Sequence, residues 1–206
     1  MEFYTTIRDR ATAEIVEKKS RFIASVAHVE TEAEALAFLE EIRATHRMAR
    51  HNVYAYLLRE GGRIRYSDDG EPQKTAGMPT LEVLRHAQLV DVIVVVTRYF
   101  GGVLLGTGGL VRAYTRAAQA GLAAAEVVCI SRCVDVVVRL PYALYDQALR
   151  MAHTCNAQVV DTVFTDGVEV HLLMLDGEQN ILITQLRELC RGQENVAVGA
   201  PHDAVF

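Results

Sequence analysis

Residues 91–116 read DVIVVVTRYFGGVLLGTGGLVRAYTR, and the rest of the chain is organised around them. The stretch opens on a β-branched run, Val92 to Val96, whose lack of alternation predicts a strand buried on both faces. It closes on a helical pattern. Leu110, Tyr114, Ala117 and Ala120 share one face, while Arg112, Arg116 and Gln119 share another. Between strand and helix, Gly101–Gly102, Gly106 and Gly108–Gly109 leave a backbone largely free of Cβ atoms, able to approach a partner closely.

The first N–H groups of such a helix carry roughly half a positive charge and form a ready anion position. Arg98, Arg112 and Arg116 would add forked donors if they converge there, so phosphate is the expected guest. The same residues also suit plain strand-to-helix packing with solvated arginines, and spacing alone leaves both readings open. The stretch lacks the Lys-Ser/Thr ending of a P-loop and the spacing of a dinucleotide fingerprint, which argues against an ordinary nucleotide site.

The 206 residues suffice for one large domain or two small ones, and half of them are apolar, as in a folded globular chain. No apolar run reaches the roughly 18 residues of a membrane-spanning helix. The start, MEFYTTIRDR, has no apolar core after a basic region, so no signal peptide is expected and the protein reads as cytoplasmic, with no membrane partner. Cys129, Cys133, Cys155 and Cys190 are scattered and do not form a disulfide framework. Without further ligands at metal spacing they read as small buried hydrophobes, and neither metal nor cofactor is expected.

The net charge of −5 hides an asymmetry. Residues 1–126 hold 16 Lys+Arg and 16 Asp+Glu, and the remaining 80 hold 5 and 10. Only the first part offers a patch for nucleic acid.

Ser20 to Val29 reads as a strand, preceded by the basic cluster Lys18, Lys19 and Arg21. Thr31 to Glu34 has the form of a capping box before a helix ending near Thr45. Val53 to Leu58 and Ile64 to Tyr66 flank Gly61–Gly62, a two-residue hairpin signal. Residues 67–79, SDDGEPQKTAGMP, form a second unusual stretch. Ser67, Asp68, Asp69, Glu71 and Lys74 make a candidate functional loop: a turn held by Asx hydrogen bonds, or a hard-metal or general-base site. Pro79 suits the first turn of a helix. From Val127 on, strand, helix from Pro141, hairpin about Asp166–Gly167, helix through Ile181 to Leu189, and strand near Ala197 give the order β-α-β-β-α-β of a split βαβ, ferredoxin-like unit. Two α+β domains are expected, 1–126 and 127–206.

The motifs KKSRFI (18–23), HNVYAY (51–56), SDDGEP (67–72), VVTRYFGG (95–102) and LGTGGLVRAY (105–114) resemble the IMPACT/YigZ family. The resemblance implies a first domain similar to a ribosomal-protein domain and to domain IV of elongation factor G. It implies a second domain similar to domain V of that factor. It also implies association with translation control, with eukaryotic relatives competing for the activator of a translation-linked kinase.

Both lines lead to a non-enzymatic regulator that binds RNA or the ribosome. The expected contact face comprises Lys18, Lys19, Arg21, Arg98, Arg112 and Arg116 with Gly101, Gly102, Gly106, Gly108 and Gly109. Tyr54, Tyr56, Tyr99 and Phe100 are available to stack bases where exposed. Two alternatives stand beside it. One is a hydrolase or phosphate-handling enzyme using Asp68, Asp69 or Glu71. The other is an interaction module binding a protein partner in translation control.

Overall fold

The computed structural model describes residues 3–191 and 195–206. Its first elements are β1 (Phe3–Ile7), β2 (Ala11–Glu17), β3 (Ser20–His28), α1 (Glu32–Thr45), β4 (His51–Leu57), β5 (Ile64–Ser67), α2 (Gly77–His86), β6 (Val92–Tyr99) and α3 (Thr107–Ala123). They are followed by β7 (Val127–Leu140), α4 (Tyr145–Thr154), β8 (Gln158–Phe164), β9 (Val168–Leu175), α5 (Gln179–Leu189), β10 (Val196–Val198) and β11 (His202–Val205). The chain divides into two units, Tyr4–Val128 and Cys129–Phe206 with Phe3, so the division passes through β1 and β7.

In the first unit the sheet runs β2-β3-β6-β4-β5, antiparallel throughout. Its central strand is β6, and Val92 to Val96 have no solvent exposure. Val92, Val94 and Val96 join the core under α2 and α3, while Ile93 and Val95 join the core under α1. Helices on both faces account for the unbroken apolar run, even though such runs are more typical of parallel sheets. Gly121 lets α3 lie on β3, because a Cβ there would stand 2.9 Å from that of Ala24.

Helix α1 ends at Thr45 as its sequence predicts, and Thr31 Oγ1 accepts the Glu34 N–H at 3.2 Å. The Glu34 carboxylate returns to the Glu30 N–H at 2.7 Å, one residue earlier than a standard capping box. Gly61 and Gly62 take φ of 62° and 60°. The bond that closes their hairpin is Leu58 N–H to the Arg63 carbonyl at 2.9 Å, so the loop has four residues, 59–62, rather than two.

Strands β1 and β2 fall outside the sequence expectations. β2 is an edge strand, alternating only between exposed and half-buried, so its sequence ATAEIVE lacks a strong apolar period. β1 is held by the Val90 N–H on the Thr5 carbonyl at 3.0 Å, and Ile7 enters the core.

The second unit has sheet neighbours β10-β7-β9-β8, all antiparallel, with β11 continuing along β7. This is the ferredoxin-like strand order the sequence predicts, with β11 as an unforeseen addition. Val134, Val136 and Val138 of β7 and Val170 and Leu172 of β9 pack with Ala148, Ala152, Leu182 and Leu186 of α4 and α5. A short 3-10 turn, Tyr142–Leu144, separates Pro141 from α4. Among the described residues no helix is long and apolar enough to cross a membrane.

Candidate anion and nucleic-acid interface

The start of α3 is built from glycine. Gly106 occupies the N-cap position with φ 71° and ψ 168°, a conformation that carries a steric cost for residues with a Cβ. It supplies no side-chain cap, and the first turn of α3 carries no acidic residue. The first intrahelical bond is Leu110 N–H to the Gly106 carbonyl, 2.9 Å, which leaves the amides of Thr107, Gly108 and Gly109 ahead of it. Gly106, Thr107 and Gly108 are exposed. Arg112 lies along this turn, its Nη1 3.6 Å from where a Cβ on Gly108 would stand. Among the described residues Arg112 has no ion-pair partner. The local field is therefore positive and open to solvent.

A second positive element abuts the glycine loop. Glu17 pairs with Ser20 across the β2–β3 hairpin, so Lys18 and Lys19 alone form the turn. Their φ values are 46° and 67°, both left-handed, as a type I′ turn requires. Two lysines there cost roughly 1–2 kcal/mol each relative to a relaxed backbone. Strain of this kind points to a role for the turn. Gly101 packs directly against it, since a Cβ would stand 2.0 Å from the Lys19 carbonyl carbon, and its N–H donates to Ser20 Oγ at 3.1 Å. Both lysines are exposed.

The expected convergence of Arg98, Arg112 and Arg116 does not occur. Arg98 is buried, with Nη1 2.6 Å from Glu71 Oε1. Arg116 pairs at the surface with Glu17 at 3.0 Å. Arg21 holds Glu14 through two bonds of 2.8 Å, and this arginine keeps the Glu14 carboxyl below its ordinary range. Positions three and four apart on a helix share a face, but spacing does not reveal which carboxylate each guanidinium meets. Among the described residues, the cations of the expected face without an ion partner are thus Lys18, Lys19 and Arg112, with Gly101 and Gly106 shaping the backbone. Gly102 has φ 83° with open space about it, and Gly109 packs on Leu105.

The acidic loop is a latch. Asp68 accepts the N–H groups of Lys74, Ala76 and Gly77 at 2.8, 3.0 and 2.8 Å, so it caps α2 from a distance. Asp69 accepts the Asn52 N–H at 2.6 Å and pairs with Arg43 at 3.2 Å, while its carbonyl meets His51 Nδ1 at 2.8 Å. Ser67 Oγ accepts the Asp69 N–H at 3.1 Å. Glu71 Oε1 accepts both Arg98 and the Tyr114 hydroxyl, the latter at 2.8 Å. Burial and the Glu71 charge push the Tyr114 phenol well above its ordinary pKa. Of the five candidate residues in this loop, Lys74 is the exposed one, and its side chain has no ion partner among the described residues. The loop has the hydrogen bonding that the turn reading expects, with its carboxylates engaged by donors from their own chain. Among the described residues no group of three or more His, Cys, Asp or Glu is placed to hold a metal. Sequence reading missed Asn52 and Arg43, which lie 17 and 26 residues from Asp69, beyond any local spacing rule.

Of the four aromatics expected to stack bases, Tyr56 is core, donating to Glu32 at 2.6 Å, and Tyr54 stacks on it with centroids 6.2 Å apart. Tyr99 is half-buried and meets His46 Nδ1 at 3.0 Å. Phe100 is exposed.

Residues 18–122 match the family described as "Impact N-terminal domain", and residues 138–193 match "Domain of unknown function (DUF1949)". The chain is 35% identical over 197 residues to "IMPACT family member YvyE" of Bacillus subtilis, covering 95% of this chain and 91% of that protein. It is 47% identical over 100 residues to "IMPACT family member YigZ" of Escherichia coli, covering 47% of this chain and 49% of that one. A solved structure titled "Crystal structure of an hypothetical protein" is similar at a TM-score of 0.62 and 28% identity, covering 97% of this chain and 98% of that one. With this sequence match spanning both units, the chain belongs to the IMPACT family.

Proposed function

We propose that the protein is a cytoplasmic, translation-associated regulator that docks on the phosphate backbone of RNA, free or in the ribosome, through one corner of its first unit. The corner comprises Lys18, Lys19, Arg112 and the opening turn of α3. The observation that carries this reading is the pairing pattern. These three cations have no ion partner among the described residues, whereas Arg21, Arg98 and Arg116 are each held by a carboxylate. The family resemblance supplies the link to translation.

Backbone docking of this kind weakens steeply with salt. The test is co-sedimentation with ribosomes and subunits from about 50 to about 200 mM salt. A variant carrying Lys18→Ala, Lys19→Ala and Arg112→Ala runs beside one carrying Arg21→Ala and Arg116→Ala. Loss of binding in the first, with a shallower salt slope, and near-retention in the second is expected. Failure of the intact chain to sediment at low salt, or equal behaviour of the two variants, overturns the reading.

A further inference from the structure

The exposed ring beside the lysine turn suggests what the RNA presents there. Phe100 follows the last residue of β6 and precedes Gly101, the residue pressed against the Lys19 carbonyl. It is 55% exposed, although Arg98, two residues earlier, is buried. The Arg98 guanidinium carbon lies 5.6 Å from the Phe100 ring centroid and 5.5 Å from that of Phe22. Phe22 in turn meets Tyr114 edge-on at 5.2 Å. The Arg98 guanidinium thus lies within cation–π reach of both rings, and Glu71 fixes it from the side. Among the described residues the buried Arg98 Nε has no hydrogen-bond partner, so the guanidinium meets one carboxylate through Nη1 and otherwise lies near the two rings. An aromatic ring anchored on a buried cation and open to solvent is a stacking platform, and a base in a duplex has no free face to offer it.

We infer that Phe100 stacks an unpaired nucleobase whose backbone phosphate sits on the Lys18–Lys19 turn, so that the corner selects single-stranded over duplex RNA. This rests on the RNA reading above and specifies its substrate. Stacking tolerates any base, because each has a π-face, so the preference is for strandedness rather than sequence. The shared chemistry is an unpaired nucleotide, and ribose and deoxyribose strands separate its two sources.

The test uses the full chain and labelled 12-nucleotide strands of RNA and of DNA, beside the 12-base-pair RNA duplex, followed by fluorescence anisotropy at low salt. Phe100→Ala, Phe100→Leu and Phe100→Trp are compared with the parent. Removing one stacking contact is expected to weaken single-strand binding roughly 5- to 150-fold. Phe100→Leu, which keeps apolar bulk without a π-face, should fail like Phe100→Ala, and Phe100→Trp should restore binding. The chain has no tryptophan, so the indole of Phe100→Trp reports alone, and its emission should be quenched by the single strand but not by the duplex. Equal melting temperatures for Phe100→Leu and the parent show that the loss is not unfolding. Tighter binding to RNA than to DNA assigns the site to RNA. Equal binding supports the platform for unpaired strands of either sugar. If strand and duplex bind equally and Phe100→Ala is silent, the stacking inference is overturned while phosphate docking stands. If nothing binds, both fall. If Phe100→Leu binds like the parent, the ring acts as a plain apolar contact of the kind a protein partner uses, and the inference is again overturned.

Discussion

Arg98 and Glu71 meet at 2.6 Å with side-chain exposures of 7% and 4%, and Tyr114 places its hydroxyl on the same carboxylate oxygen at 2.8 Å. One oxygen thereby ties the end of β6, the loop before α2 and the third turn of α3. That junction joins the two elements that flank the glycine loop, and its Arg98 guanidinium carbon lies 5.6 Å from the Phe100 ring centroid.

Removing one member of a buried pair leaves the other uncompensated, at a cost of about 3–5 kcal/mol. Glu71→Ala is expected to lose that much in urea unfolding followed by circular dichroism. Tyr114→Phe, which removes one bond to a charged acceptor, should lose about 1.5–3 kcal/mol. A Glu71→Ala loss under about 1 kcal/mol would show that the pair does not organise the junction.

Asp68 gathers three backbone N–H groups at the start of α2. Asp68→Ala should destabilise the unit by about 2 kcal/mol, the upper end of helix-capping losses. In native-state hydrogen exchange the amides of Lys74, Ala76 and Gly77 should lose protection before those of β6. Unchanged protection at these three would refute the latch.

Two glycines one residue apart should respond differently. Gly101→Ala drives a Cβ to 2.0 Å from backbone and must displace the Lys18–Lys19 turn. Gly102→Ala meets no atom within 4 Å and bears only the left-handed backbone cost, about 1–2 kcal/mol. Gly101→Ala should therefore melt lower than Gly102→Ala, and it should lose RNA binding out of proportion to its stability. The reverse order of melting would contradict the packing of the loop on the hairpin.

Acid should destabilise the chain through named carboxylates. The Tyr56 hydroxyl lowers the pKa of Glu32, the Glu30 backbone N–H lowers that of Glu34, and Arg139 lowers that of Glu169. A folded-state pKa below the unfolded value near 4.3 means that the unfolded chain takes up protons first as pH falls. Their stabilisation is present above about pH 5 and disappears as pH drops through the folded values. Urea midpoints at neutral pH and at about pH 5, 4 and 3 should fall in that order, and Tyr56→Phe should flatten the slope below pH 5. A midpoint independent of pH over that range would refute the assignment.

Local sequence rules reached a large part of the architecture. The unbroken run of β6, the Thr31 cap of α1, the hairpin about Asp166–Gly167 and the four-strand order of the second unit all follow from periodicity and turn chemistry. These are properties of neighbours in the chain, and burial acts on them one side chain at a time. β2 escaped because an edge strand facing solvent needs no apolar period. The site depends on separation in the chain. Composition placed Arg98, Arg112 and Arg116 on one segment, but folding sent Arg98 to Glu71, 27 residues away, and Arg116 to Glu17, 99 away. Buried charge must find a partner, whereas exposed charge need not. Which arginine is buried is set by packing between β6, α3 and the loop before α2, and no local pattern records that packing.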